Sequence, residues 1–226
     1  DVDDMIRRAE EQKGITYEAL QRQAIREALS RSILILTGGP GTGKTTTLNA
    51  IIDLLESEGL KLAIAAPTGR AAMRVSEVTG HEAKTIHRLL EVDFSDESRS
   101  KFLHNEQNPL DVDGVVIDEM SMVDVELFES LLRGIRPGCR LILVGDFNQL
   151  PSVGPGNVLR DLIASGRVPT VELKQIFRQA AESLIVTNAH RIIRGEMPDL
   201  TVKNRDFFFL SRPGGEAAAR TVVELA

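Results

Sequence analysis

Five short apolar runs punctuate this chain, and none alternates apolar with polar residues: ILIL at residues 33–36, KLAIAA at 61–66, GVVIDE at 114–119, RLILVG at 140–145 and VPTVEL at 168–173. A strand with one solvated face alternates, so these runs describe strands covered on both faces. Between them lie segments of helical character at residues 17–30, 44–58, 69–79, 125–133, 157–165 and 182–195. This order predicts an α/β domain, a parallel sheet with helices on both faces. In such sheets ligands bind beyond the carboxyl ends of the strands. The residues just after each run therefore matter most.

The length of 226 residues suffices for a full core and predicts one domain, or one domain plus part of another. No stretch approaches the ~20 uninterrupted apolar residues of a membrane span, and no signal-peptide pattern opens the chain. The expectation is a cytoplasmic protein with no membrane partner. A net charge of −6 argues against nucleic-acid binding through bulk basic charge, but it leaves room for a narrow groove that grips phosphates with a few donors. Cys139 is the single cysteine, which excludes an intrachain disulfide and a cysteine-cluster zinc site. His81, His104 and His190 have no carboxylate or cysteine partner at metal-ligand spacing, so no metal is assigned to them.

TGGPGTGKTTTL, residues 37–48, follows the first run and opens a helical segment, the setting that G-x-x-x-x-G-K-[ST] requires. Along Gly38, Gly39, Pro40, Gly41, Thr42 and Gly43, backbone N–H groups can point inward around phosphate oxygens, and a helix N-terminus adds a favourable dipole. Lys44 is expected to hold the β- and γ-phosphates and Thr45 to coordinate Mg²⁺, with Thr46 next in the loop. A plain Gly-rich turn is the competing reading.

VVIDE ends a second run in two carboxylates, which cost desolvation unless a cation binds them. Asp118 is expected to hold Mg²⁺ through water, and Glu119 to orient and deprotonate an attacking water. A helix cap is the alternative for Glu119. A third run leads into GDFNQLPSVGPG, residues 145–156, whose Asp146 and Gln149 stand at a strand tip where a solvated turn is the plain expectation. Together these features predict a nucleoside triphosphatase, without saying what its energy is used for.

Six stretches in order carry a resemblance: Gln21 in LQRQAIREAL, AAPTGRAA at residues 65–72, TIHRLL at 85–90, VVIDEMSMVD at 115–124, VGDFNQLPSVGPG at 144–156 and ELKQIFRQ at 172–179. The series resembles superfamily 1 DNA helicases of the RecD-type branch, over residues 21 to 200. The resemblance implies the first RecA-like lobe of a P-loop motor that uses ATP and Mg²⁺ to move 5′ to 3′ along single-stranded DNA and to open a duplex junction. It implies that Gln21 contacts the adenine edge, Phe177 stacks on the adenine, Arg178 reaches the γ-phosphate and Gln149 senses it, with Asp146 supporting the metal and water network. It also implies that Pro67, Thr68, Gly69, Arg70, Thr85 and His87 grip DNA phosphates, contacts that give affinity without reading sequence. An exposed helix glutamine, a core phenylalanine and a packed histidine are the alternatives for Gln21, Phe177 and His87.

The expected organisation is a linker and the Gln21 helix at residues 1–30, then the ATPase lobe at 31–200. Its polar insertion at 91–112 falls where the family places a duplex-splitting pin. DFFFL, residues 206–210, reads as a strand, and residues 201–226 as the start of a second lobe. No later family motif follows Arg178 and both ends read as cuts, so the expectation is a fragment that hydrolyses ATP poorly without its second lobe. The rival reading is a P-loop module that uses ATP as a conformational switch for protein partners.

Overall fold

The apolar runs build a six-stranded parallel sheet in the computed structural model, which describes residues 1–93 and 101–226. In chain order the elements are α1 (Val2–Lys13), α2 (Ala19–Ser30), β1 (Ile33–Gly38), α3 (Lys44–Ser57), β2 (Leu62–Ala66), α4 (Gly69–Thr79), β3 (Ala83–Thr85) and α5 (Ile86–Leu90). A small antiparallel pair follows, β4 (Val92–Asp93) with β5 (Lys101–Phe102). Then come β6 (Gly114–Ile117), α6 (Val125–Gly134), β7 (Arg140–Gly145), α7 (Val158–Ala164) and β8 (Thr170–Leu173).

Strand order is β3-β2-β6-β7-β1-β8. The chain leaves β1 toward β2 on one side and leaves β7 toward β8 on the other, so the β1/β7 boundary is where the direction of winding reverses. Such a switch point opens a crevice at the strand ends. Thr37 stands opposite Gly145, which brings the ends of β1 and β7 level.

The missing alternation has its cause in two cores, one on each face. Leu34, Leu36, Val116, Ile142 and Val144 pack against α2 and α3 through Ile25, Leu48 and Ile51. Ile35, Val115, Ile117, Leu141 and Leu143 pack on the opposite face with Ile86, Leu131 and Leu159 of α5, α6 and α7. Each such aliphatic side chain contributes about 1.5–3 kcal/mol by leaving water.

Residues 1–30 are more than a linker. Helix α1 is capped by Asp1, whose side chain accepts from the Asp3 N–H, and it ends at Gly14 with φ 64°. Its Val2, Met5, Ile6 and Ala9 recur at helical spacing and pack into the first core, where Ile6 is fully buried. Among the described residues, no helix is long and apolar enough to cross a membrane.

Packing divides the chain into two compact units, Asp1–Gln175 and Ile176–Ala226. The second holds α8 (Arg178–Ala181), α9 (Leu184–Ile193) and α10 (Gly215–Leu225). Buried Asn188 of α9 donates to the Asp199 carbonyl at 3.2 Å and accepts from its N–H at 2.8 Å. This bond pair folds the segment after α9 back onto the helix. DFFFL forms no strand and pairs with none among the described residues, and Phe208 and Phe209 are exposed.

Candidate active site

Three adjacent strands, β6, β7 and β1, end around a cleft of about 440 Å³. Residues 39–46 line one wall, and Asp118, Glu119, Asp146 and Gln149 line another.

The loop after β1 is built by its glycines. A Cβ on Gly38 would lie 2.6 Å from Thr42 Oγ1 and 2.9 Å from the Leu173 carbonyl, so only glycine fits the passage between loop and β8. Gly41 and Gly43 hold left-handed φ values of 72° and 84°, and Gly43 is the N-cap of α3. Buried Thr42 donates to the Gly39 carbonyl at 2.7 Å, closing the turn. Lys44 Nζ donates to the Gly38 carbonyl and, at 3.3 Å, to that of Gly39. Burial pushes the Lys44 pKa down, and the carboxylates of Asp146, Asp118 and Glu119 oppose that shift. Thr45 and Thr46 lie on the cleft wall.

At the end of β6, the Asp118 N–H donates to the Ala65 carbonyl at 3.0 Å and extends the ladder by one residue. Its Oδ1 accepts from the Glu119 N–H at 2.7 Å. Burial raises the Asp118 pKa against that hydrogen bond and the Lys44 charge. Burial and then Asp118 raise that of Glu119. Glu119 adopts φ 54° and ψ 42°, a left-handed conformation that costs a non-glycine residue about 1–2 kcal/mol. The chain thereby leaves β6 sharply into a 3₁₀ turn at Met120–Met122. Glu119 is the N-cap residue of that turn but makes no side-chain cap hydrogen bond.

At the end of β7, Asp146 is buried; its Oδ1 accepts from the Asn148 N–H at 3.0 Å and its carbonyl from the Gln149 N–H at 3.1 Å. This turn places Gln149 on the cleft wall. The rest of the loop is fastened to α6. The Val125 N–H donates to the Pro155 carbonyl at 3.0 Å, and a Cβ on Gly154 would fall 2.0 Å from Asp124 Oδ2. Leu150 and Val153 remain exposed at the tip.

The other predicted residues divide. Thr68 and Thr85 stand at the ends of neighbouring strands, with Ala66 opposite Thr85. Both hydroxyls cap helices: Thr68 accepts from the Ala71 N–H at 3.2 Å and Thr85 from the Arg88 N–H at 3.1 Å. Pro67 is half-buried, whereas Gly69 and Arg70 are exposed. His87 is exposed too, its ring centroid 5.8 Å from that of Phe102. The base of the 91–112 insertion is the β4/β5 pair, while residues 94–100, where the pin tip is expected, lie outside the described residues.

Gln21 does not line the cleft. It is buried, accepts from the Glu18 N–H at 2.9 Å and donates to the Gly43 carbonyl at 3.3 Å. Phe177 and Arg178 belong to the second unit; Arg178 is almost fully solvated, with Glu182 at 3.9 Å. The fold also supplies carboxylates that sequence spacing did not show: His81 lies 3.6 Å from Asp53 and 3.5 Å from Glu56, and His104 lies 2.8 Å from Glu91. Arg74 of α4 lines the cleft and was missed, although its position one helical turn after Arg70 was a visible signal.

A family model described as "AAA domain" matches residues 21–155. The chain is 41% identical over 203 residues to the ATP-dependent RecD2 DNA helicase of Deinococcus radiodurans, covering 90% of this chain and 27% of that protein. It is 41% identical over 182 residues to the RecBCD enzyme subunit RecD of Mycolicibacterium smegmatis, covering 70% of this chain and 32% of the subunit. The chain thus spans about a third or less of the curated relatives it matches. Among solved structures, the Pif1 helicase from Candida albicans superposes with a TM-score of 0.57 at 27% identity, over 82% of this chain and 46% of that one. Pif1 of a Bacteroides species, solved in complex with ADP-AlF4, gives a TM-score of 0.52 at 25% identity over 73% and 43%. With the family model spanning more than half of its residues, the chain belongs to the AAA domain family of P-loop proteins, as a relative of RecD-type DNA helicases.

Proposed function

We propose that the chain binds ATP in the cleft at the ends of β1, β6 and β7, hydrolyses it, and forms the first RecA-like lobe of a cytoplasmic RecD-type helicase. In the whole protein a second such lobe completes the motor, which moves 5′ to 3′ on single-stranded DNA and opens the duplex. The observation that carries this reading is the convergence of Lys44, the Asp118–Glu119 pair and Gln149 on one cleft.

Backbone N–H groups of the glycine loop surround the phosphates, and Lys44 Nζ exchanges its carbonyl partners for phosphate oxygens. The Thr45 hydroxyl and the Asp118 carboxylate are hard oxygen donors beside a buried cluster of negative charge, a set that fits Mg²⁺. When bound there, Mg²⁺ would neutralise charge on the phosphates. Glu119, with its pKa raised, is a stronger base than a surface carboxylate and takes the proton of the attacking water. Gln149 registers the γ-phosphate from the tip of β7. Arg70 and the backbone donors at the start of α4, with Thr85 and His87 alongside, supply the DNA track.

Fluorescence titration with mant-ATP tests the nucleotide half. Lys44→Ala is expected to weaken binding by about tenfold or more, on the order of one charge-assisted hydrogen bond. Anisotropy with labelled single-stranded DNA tests the track: Arg70→Ala and His87→Ala are expected to bind more weakly. A switch for protein partners needs no track, so equal DNA binding by the chain and both variants would favour that reading.

A further inference from the structure

We propose that Arg74 is a second cation for the terminal phosphate, supplied from α4 and acting opposite Lys44. The proposal rests on the ATP reading of the cleft. Three observations support it.

Arg74 lines the same cleft as Lys44, Asp118 and Glu119, and its charge acts on all three of those groups. Next, Arg74 is exposed, and among the described residues no hydrogen bond or ion pair holds its guanidinium. Arg22, Arg26, Arg133 and Arg136 of the first unit, by contrast, are each taken up by a carboxylate. Three carboxylates, Asp118, Glu119 and Asp146, share the cleft with Arg74, yet among the described residues it closes a salt bridge with none of them. A planar fork of donors beside a phosphate-binding loop is the group that recognises phosphate in a bidentate manner.

Finally, the helix that carries it is held against the P-loop helix. Val75 is buried in the core shared with Leu48 and Ile51 of α3, and Asn49 Nδ2 of α3 donates to the Val78 carbonyl at 3.1 Å. Ala72 and Val75 take the buried face of α4, which leaves Arg74 and Val78 for the cleft. The base of the arginine is therefore placed before ligand binds, and only the side chain needs to order. Lys44 at the start of α3 and Arg74 on α4 line one cleft from two elements, so a triphosphate bound there would meet both cations. The proposal gives Arg74 the terminal phosphate, which a diphosphate lacks.

Titrations with mant-ADP and mant-AMPPNP in the presence of Mg²⁺, on the chain and on Arg74→Gln and Arg74→Lys, test this. Arg74→Gln is expected to weaken AMPPNP by about tenfold or more while ADP stays within about twofold, as the loss of a charge-assisted contact to one phosphate demands. Arg74→Lys, which keeps the charge and loses the fork, should fall between. Equal weakening of both nucleotides, or of neither, overturns the inference. If the unaltered chain binds neither nucleotide, the ATP reading itself fails; if it binds both and Arg74→Gln matches it, only Arg74 loses its role.

Discussion

The side-chain amide of Gln21 donates to the carbonyl of Gly43 at 3.3 Å, joining the first turn of α2 to the residue that caps the P-loop helix. The same amide closes a reciprocal capping box with Glu18. A glutamine that the family resemblance gives to the adenine edge thus also braces the phosphate loop from behind. Gln21→Ala is expected to cost about 1 kcal/mol, since it removes the capping-box partner of Glu18 and one bond to the Gly43 carbonyl, which keeps those from Thr47. Urea denaturation measures this, and amide exchange at residues 43–46 should speed up. Unchanged stability with altered adenine preference would make the adenine edge its principal contact instead.

Asp118 and Glu119 share a pH signature. Both pKa values are raised in the folded state, so between about pH 4 and the raised values the folded chain binds more protons than the unfolded one. Stability in the absence of metal should therefore fall as pH rises through that window and recover on acidification. Asp118→Asn is expected to flatten this slope and to add about 1 kcal/mol near neutrality, while Mg²⁺-dependent turnover is lost. Urea midpoints across the window decide it; a slope equal to that of the unaltered chain would count against Asp118 as its source.

Glu119 carries a backbone cost and, in the proposed mechanism, a chemical role, and substitutions separate the two. Its left-handed conformation suits glycine, so Glu119→Gly should be more stable than Glu119→Ala by about 1 kcal/mol. Glu119→Gln keeps the shape and loses the base, and is expected to retain nucleotide binding while hydrolysis falls by about 10²-fold or more. Thermal melts and single-turnover assays give the two answers independently.

Gly154 is where the loop after β7 meets the cap of α6. An added Cβ would lie 2.0 Å from Asp124 Oδ2, while Asp124 Oδ1 accepts from the Leu127 N–H at 2.8 Å. Gly154→Ala must displace that side chain, so a loss of about 1 kcal/mol is expected in denaturation, in the range of a lost N-cap. The larger consequence should be a looser loop and weaker discrimination by Gln149 between ATP and ADP. Identical stability and discrimination in the variant would show that the contact is dispensable.

Much of the site was legible because each part is local. The glycines, Lys44 and Thr45 form one loop, and the Asp118–Glu119 pair and Asp146 each follow an apolar run directly. Covered strands leave their mark in the missing alternation, whereas α1 was expected as a linker although Val2, Met5, Ile6 and Ala9 recur at helical spacing. What sequence could not supply was adjacency. β2 follows β1 in the chain, yet β7 and β8 flank β1 in the sheet, and that order alone carries Asp118 and Gln149 to the phosphate loop. The amide of Gln21, the cleft face of α4 and the unpaired DFFFL segment were likewise settled by which distant partners exist to bond or to cover them. Residue type and local spacing determine which strand ends carry chemistry; hydrogen bonds and packing between segments far apart in the chain decide which of those ends share one site.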